Sequence, residues 1–302
     1  MPKSLQSTPV KIRGETDESH SECKFETYAV VYFDVLGFRS LIYRAEQTQK
    51  EDDDSRTKLC RLIHEIEDHV ELDNLEITKD VPQAMRPRYF FASDSIVIAA
   101  PIECQGFSGL VVTGLKAIQV AQKLFELGFV VRGAIAVGPL LLRDFNIFGS
   151  AFMEAFSLGE KRAIYPRIIL SDAALKHHKM ATHKSVPISE LGLWIRFEGD
   201  IVLDTLNQSL LQGFRIHGGI ENSFAAFRGV ITKQLEQAVV CSSVYQKWAW
   251  MARFYNAART RQGLDTVSLV DIPSNPLLRY RCAVSNLVGG IRRCFRGESI
   301  AP

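Results

Sequence analysis

The fold of this chain is decided by the stretch Tyr28–Phe38, YAVVYFDVLGF. Its first six residues are apolar, aromatic or β-branched, which predicts a strand that is covered on both faces. Asp34 ends that run, and Gly37 lets the backbone turn before a helical pattern that starts at Arg39. An acid at this point, followed by the amides of a helix N-terminus, is suited to hold a cation and the phosphates that the cation carries.

A second acid in a comparable place is Asp94. It lies between two apolar runs in Arg88–Ala100, RYFFASDSIVIAA, and this pattern predicts a hairpin with Asp94 at its tip. If the first strand of the hairpin is regular, alternation puts Arg88 and Phe90 on the same face as Asp94. Two carboxylates on adjacent strands, close to an amide-rich turn, suit a two-metal site for phosphoryl chemistry.

Arg132 lies inside another apolar run, Phe129–Leu142, FVVRGAIAVGPLLL. A guanidinium in such a run must be paired or must face a polar cavity, because burying an unpaired charge is costly. The residues by themselves leave two interpretations open, a structural salt bridge and an anion ligand.

The composition limits the class of protein. The chain has 302 residues, of which 46% are hydrophobic and 10% aromatic, so it can bury a full core. Its net charge of +2 gives no electrostatic case for binding nucleic acid or an anionic membrane surface. Six scattered cysteines without a CxxC pair predict reduced thiols rather than a zinc site. We therefore expect a cytoplasmic protein with no nucleic-acid partner and no direct membrane contact.

Three segments follow from the change of pattern along the chain. Residues 1–24 are polar and charged and are predicted to be a flexible tail. Strands that alternate with long helices predict a layered α/β or α+β domain over residues 25–180, including a helix over Phe107–Leu127 with Lys116 facing outward. Residues 181–302 are predicted to be a mainly helical C-terminal extension, partly packed on that domain. Its stripe around Trp248 is typical of a core or an interface.

The order of these motifs resembles the catalytic domain of class III nucleotide cyclases. FDVLGF, SDS, VRGAIAVGP and FGSAFMEAFSLGEKRAIYPRIILS follow one another as the metal loop, hairpin, strand and helix of that family do. The FDVLGF and SDS forms resemble more closely the compact bacterial pyrimidine cyclases of the Pycsar antiphage systems. The resemblance covers about residues 28–172. It implies an α+β fold of the ferredoxin-like class, with the sheet packed against helices.

The resemblance also implies roles for particular residues. Asp34 and Asp94 would bind two Mg²⁺ or Mn²⁺ ions per site, with the Val35 carbonyl as a further ligand. The Gly37 and Phe38 amides and Arg132 would bind the triphosphate, and Arg132 would then be a catalytic residue together with the two acids. Tyr43, Arg88 and Asn146 fall at or near positions that would contact the base.

Two departures from the family pattern bear on the activity. The helix positions of the family's transition-state Asn and Arg hold Met153 and Ser157. Either other residues substitute, with Arg143 and Arg162 as candidates, or the domain binds nucleotide without turnover.

The neutral Asn146, where the family has an adenine-reading acid, offers a donor and an acceptor, as a pyrimidine edge requires. UTP and cyclic UMP are therefore favoured over CTP and cyclic CMP, and a purine cyclase remains as a third reading. Class III sites form across a head-to-tail dimer, so the resemblance implies a homodimer, with the Trp248 stripe as an additional contact. In the antiphage setting the product would activate a separate effector protein.

Overall fold

A computed structural model describes residues 24–47, 54–70, 82–104, 107–143, 146–181, 192–207, 220–240, 242–265, 269–270 and 272. The predicted tail, apart from Lys24, lies outside the described residues. So does much of the predicted C-terminal extension.

Ten strands and seven α-helices are formed by the described residues. The strands are β1 (Glu26–Leu36), β2 (Arg88–Ala92), β3 (Ser95–Pro101), β4 (Glu103–Cys104), β5 (Phe107–Ser108), β6 (Val130–Arg143), β7 (Asn146–Phe148), β8 (Ile168–Leu170), β9 (Trp194–Phe197) and β10 (Asp200–Leu203). The helices are α1 (Phe38–Gln47), α2 (Asp54–Val70), α3 (Gly109–Glu126), α4 (Ser150–Lys161), α5 (Asp172–Ala181), α6 (Ile220–Gln237) and α7 (Ser243–Arg261). The α+β prediction is confirmed.

One mixed sheet organises the fold. Its strand order is β2-β3-β1-β6-β8-β10-β9, with β7 paired to β6. All neighbours are antiparallel except β6 and β8, which are parallel. The chain order of β1, α1–α2, β2, β3, α3 and β6 is the β-α-β-β-α-β order of ferredoxin-like folds.

β1 is the buried central strand. Val31, Phe33 and Val35 face a core that includes side chains of α1, α2 and α3, while Val30 and Tyr32 face α4. The strand is longer than predicted: Asp34 does not follow the strand but lies inside it, 8% exposed. The reason is that β3 and β6 pair with β1 on both sides as far as Asp34, and β6 continues to Leu36.

α3 corrects the expectation for Lys116. This side chain was predicted to face outward, but it is only 2% exposed. α3 packs against β1, β3 and β6 and also against α2 and α6, so neighbouring elements cover more of its surface than one apolar stripe indicates.

The described C-terminal residues pack on the sheet. β10 pairs with β8, and α6 and α7 share a core with β6, β8 and Phe125 of α3. Trp248 is 6% exposed within this core, so its side chain is buried by its own chain and is not available for a dimer contact, whereas Val244 of the same stripe is 50% exposed. The boundary at residue 180 stays a prediction, and the sheet continues beyond it.

A bilayer-spanning helix would need a long apolar segment. No helix among the described residues has the length and apolar character to cross a membrane.

Gly133 allows β6 to lie against β1. A Cβ built at this position overlaps the Tyr32 carbonyl oxygen and lies 2.6 Å from Phe33 Cβ. We predict that Gly133→Ala lowers the free energy of unfolding by about 1–3 kcal/mol, because the backbone of a central strand cannot move aside cheaply.

The matched control is Gly229→Ala on α6, where nothing lies within 4 Å of the added Cβ. It should stabilise the protein by about 0.5–1 kcal/mol, since alanine restricts the unfolded chain. Urea denaturation measures both. Equal effects of the two substitutions would contradict this explanation of Gly133.

Candidate active site

Three strands bring the polar residues of the site side by side. In the register of the sheet, Asp34 on β1 is opposite Ser95 on β3 and opposite Arg132 on β6. Tyr32 lies two residues before Asp34 and therefore shares its face of the sheet. The Tyr32 hydroxyl is 3.2 Å from Ser95 Oγ.

Arg132 forms a salt bridge to Asp34 and Glu160. Its Nε donates to both carboxylate oxygens of Asp34, at 3.0 and 3.1 Å, and its Nη2 donates to Glu160 Oε1 at 2.8 Å. The sequence left two interpretations of Arg132 open, a structural salt bridge and an anion ligand, and the salt bridge is present in the structure. The assignment of Arg132 as a phosphate ligand stays a prediction.

Asp94 lies at the tip of the β2–β3 hairpin, next to the end of β1. The turn is Ser93–Asp94, with Ser93 in the left-handed region at φ 59°. The Val35 N–H donates to the Asp94 carbonyl oxygen at 2.9 Å, which ties the hairpin tip to β1 immediately after Asp34. The predicted hairpin is confirmed, and it brings the backbones of the two candidate metal ligands together.

The electrostatics of Asp34 reflect its burial. Loss of hydration raises the pKa of Asp34 above its ordinary value, outweighing the Arg132 guanidinium, and the carboxylates of Glu160 and Asp94 add to the rise. Burial lowers the pKa of Arg132, but Asp34 and Glu160 more than compensate and raise it. Two carboxylates around one guanidinium, with a third nearby, leave an excess of negative charge.

The donor set fits a hard divalent cation. Carboxylate and carbonyl oxygens from Asp34, Asp94 and Val35 are the ligand types that Mg²⁺ and Mn²⁺ take. No cluster of three or more His, Cys, Asp or Glu side chains arranged for a metal occurs in the described parts of the chain. Such a site would depend on phosphate oxygens and water for its remaining ligands, as magnesium sites in nucleotide enzymes do.

The predicted phosphate-binding turn comes directly after β1 in the chain. Gly37 adopts φ 89°, which confirms the predicted turn, and α1 begins at Phe38, one residue before the predicted start at Arg39. The first N–H groups of a helix have no partner inside the helix, so the turn presents amides that suit an anion.

The three candidate base contacts lie on three different elements, α1, β2 and β7. Tyr43 is 57% exposed on α1, and the Arg88 guanidinium lies 5.9 Å from the centre of the Phe90 ring. Asn146 is exposed on β7, where it pairs with Arg143. Eleven residues of β6 separate Arg143 from Arg132, which corresponds to about 36 Å in a regular strand.

The candidate substitutes for the transition-state pair have different surroundings. Arg162 Nη2 is 2.7 Å from Asp200 Oδ1, and Arg167 Nη1 is 2.7 Å from Oδ2 of the same carboxylate, so the exposed Arg162 is paired with a carboxylate that is largely buried. Arg143 is exposed, and Met153 is 68% exposed on α4.

Two residues near the site were missed by the sequence reasoning. Glu160 lies near the end of α4, in the segment GEKR, and the sequence analysis gave it no role. Its charge at that position could have suggested a partner for Arg132. Lys247 lies on α7 and interacts electrostatically with Arg132 and Asp34. No local pattern connects Lys247 to residues more than 100 positions earlier.

No model of a protein family matches this sequence, and neither does any curated protein. Solved structures with similarity include the catalytic core of a rhodopsin-guanylyl cyclase with converted specificity in complex with ATPαS. It has 12% identity and a TM-score of 0.36, covering 59% of this chain and 96% of that one. The guanylyl cyclase domain of the RhoGC fusion protein from the fungus Blastocladiella emersonii has 13% identity and a TM-score of 0.34, covering 59% and 94%. A class III adenylyl cyclase-like ATP-binding protein from Pseudomonas aeruginosa has 11% identity and a TM-score of 0.32, covering 51% and 35%.

The raised pKa of Asp34 predicts how stability depends on pH. The folded protein holds the Asp34 proton more tightly than the unfolded chain, so the contribution of Asp34 to stability falls as pH rises above about 4. We predict that the free energy of unfolding of the wild type, relative to Asp34→Asn, decreases from about pH 4 to about pH 7. Urea denaturation at a series of pH values measures this. An increase over that range would mean that the pairing with Arg132 outweighs burial.

Proposed function

We propose that this protein is a pyrimidine nucleotide cyclase that converts UTP to 3′,5′-cyclic UMP and pyrophosphate in the cytoplasm. The observation that carries the proposal is the junction of β1 with the β2–β3 hairpin. There the backbones of Asp34–Val35 and Asp94 are hydrogen-bonded neighbours, the turn at Gly37 follows, and Arg132 contacts Asp34. This combination suits phosphoryl transfer to a positioned hydroxyl.

The reaction balances without a further reactant. The ribose 3′-oxygen attacks the α-phosphorus in line, the bond from that phosphorus to the bridging oxygen breaks, and pyrophosphate leaves. The hydroxyl proton passes to solvent. Two Mg²⁺ or Mn²⁺ ions, held by Asp34, Asp94 and the Val35 carbonyl, would lower the pKa of the attacking hydroxyl and neutralise charge on the phosphates.

Arg132 has N–H donors that its two carboxylate partners do not use and that could bind a phosphate. A guanidinium carries five N–H groups, and the bonds to Asp34 and Glu160 use Nε and one N–H of Nη2. The two carboxylates hold the planar group in place, so Arg132 would meet a phosphate oxygen without first losing side-chain freedom. The Gly37 and Phe38 amides would contact the same triphosphate.

Base selection would come from the second protomer of a homodimer. Asn146 is exposed and lies at the far end of β6 from Arg132, which supports a site that is completed by a second chain. In a head-to-tail pair, Asn146, Tyr43 and Arg88 would line the base pocket. The mixed donor and acceptor character of an amide favours uracil, with CTP as the alternative substrate.

A specific observation favours a second candidate function, a module that binds nucleotide without turning it over. Met153 occupies the position of a transition-state donor in the resembling family, and its thioether is exposed and donates no hydrogen bond. Loss of one preorganised donor costs about 2.7–4 kcal/mol of transition-state stabilisation.

The biological setting is part of the proposal. The resemblance to antiphage pyrimidine cyclases implies that cyclic UMP acts as a second messenger for a separate effector protein in defence against phage.

A four-nucleotide assay tests the function. We predict that purified protein with Mn²⁺ and an equal mixture of ATP, GTP, CTP and UTP forms mainly cyclic UMP, and that Asp34→Ala forms none because the metals lose a ligand. Glu236→Ala, an exposed acid on α6, is the control and should keep full activity. Chromatography with mass spectrometry identifies the product.

Each other outcome has a defined meaning. Cyclic CMP would select the alternative substrate, and cyclic AMP as the sole product would overturn the pyrimidine assignment. Metal-dependent nucleotide binding with no product at high enzyme concentration would favour the silent module.

Mixing of variants tests the shared site. We predict that Asp34→Ala and Asn146→Ala are each inactive alone and that an equal mixture regains about one quarter of the wild-type sites, since half of the dimers are mixed and each has one intact site. Product formation after exchange of protomers measures this. No recovery, with subunit exchange demonstrated, would contradict a composite site.

A further inference from the structure

A cavity of about 240 Å³ lies between the start of α1 and the C-terminal helix α7. Leu36, Gly37, Ser40 and Leu41 line one side. The opposite wall includes Gln234 of α6 and Val244, Lys247 and Trp248 of α7. The cavity is far larger than one water molecule requires.

The charged residues that line this cavity are all basic. Arg44, Lys58 and Lys247 line the cavity, and none of the described residues that line it is acidic. Lys58 Nζ lies 5.8 Å from the centre of the Phe129 ring, which is also part of the wall. Three cations on the wall of one cavity repel each other, and an anion bound between them would offset this repulsion.

Lys247 is the most buried of these three cations, since Arg44 and Lys58 are exposed. Within the described residues its ammonium makes no hydrogen bond and no ion pair, whereas the Arg44 Nε donates to the Ser40 carbonyl oxygen at 3.2 Å. Lys247 is partly buried, and burial together with the Arg132 cation lowers its pKa, which Asp34 partly offsets. An anion in the cavity would relieve this cost.

The cavity adjoins the proposed phosphate-binding turn. Gly37 belongs both to that turn and to the wall, and Lys247 interacts electrostatically with Arg132 and Asp34. A triphosphate bound to the metals at Asp34 and Asp94 and to the amides of the Gly37 turn would therefore have phosphate groups beside this cavity. A chain of phosphates has several negative charges close together, and several lysine ammonium groups can each bind one of them.

We propose that this cavity binds the terminal phosphates of the nucleotide substrate, and the pyrophosphate formed from them, with Lys247 supplied by the C-terminal helix of the same chain as a phosphate ligand. The assignment of the phosphates to a nucleotide rests on the proposed function. It gives the C-terminal helices a direct part in substrate binding, because α7 must be packed on the sheet for Lys247 to reach the cavity.

Binding of inorganic tripolyphosphate tests the site without any reaction. Calorimetry is done on the full-length protein with a chelator present, so that metals at Asp34 do not contribute. Lys247→Gln should weaken tripolyphosphate binding about tenfold, the effect of removing one charge-assisted contact. Lys247→Arg should keep most of the affinity. Lys233→Gln, an exposed lysine on α6 outside the cavity, is the matched control and should leave the affinity unchanged.

Nucleotides distinguish the two sources of phosphate. Lys247→Gln should raise the KM for UTP about tenfold with a smaller change in kcat, and should leave the affinity for UMP, which has no terminal phosphates, unchanged. Equal tripolyphosphate affinity of wild type and Lys247→Gln would overturn the proposal. If Lys247→Gln does not fold, as judged by its melting temperature, Lys58→Gln replaces it with the same expected loss.

The two hypotheses fail separately. Tripolyphosphate binding that depends on Lys247, in a protein without cyclase activity, would keep the anion site and overturn the proposed function. Cyclase activity with an unchanged KM and unchanged tripolyphosphate affinity in Lys247→Gln would do the reverse.

Discussion

Burial of β1 on both faces and along both edges is the constraint on which the rest of the structure depends. Its edges pair with β3 and β6, and its side chains from Ala29 to Val35 are buried. The strand contains one charged residue in that interval, Asp34. Such a carboxylate costs free energy unless a partner of opposite charge is close, and β6 provides Arg132 at the paired position. The register of two strands therefore sets the chemistry of the site.

The same arrangement explains why the site is suited to cations and phosphates together. Asp34 and Glu160 surround the Arg132 guanidinium and Asp94 lies near Asp34, so this point has surplus negative charge. Arg44, Lys58 and Lys247 line a positively charged cavity whose wall includes Gly37. A metal–triphosphate complex has a positive part and a strongly negative part, and these two regions are complementary to it. The C-terminal helix α7 contributes to this complementarity from a segment to which sequence reasoning assigned no part in substrate binding.

Much of the secondary structure was predictable because apolar periodicity reports which faces are covered. The β2–β3 hairpin with Asp94 at its tip, the buried strand around Arg132 and the helix within Phe107–Leu127 follow from such patterns. Lys116 and Trp248 show that apolar periodicity does not predict which side chains are buried by distant parts of the chain. Lys116 is buried because several elements surround α3, and Trp248 is buried by its own chain because α6 and α7 pack on the sheet. Neither outcome is encoded in the spacing of neighbouring residues.

By itself the sequence determined which residue types are available at the ends of the central strands: an acid before a glycine turn, an acid at a hairpin tip and an arginine in an apolar run. These features are local, since a few neighbouring residues define each strand or turn. Only the tertiary structure decided which of them meet. The pairing of Arg132 with Asp34 and Glu160, and the approach of Lys247 to the Gly37 turn, join segments that are between 28 and more than 200 residues apart. Such contacts depend on strand register and helix packing, because the energy of ion pairs and cavities depends on distance in space rather than along the chain.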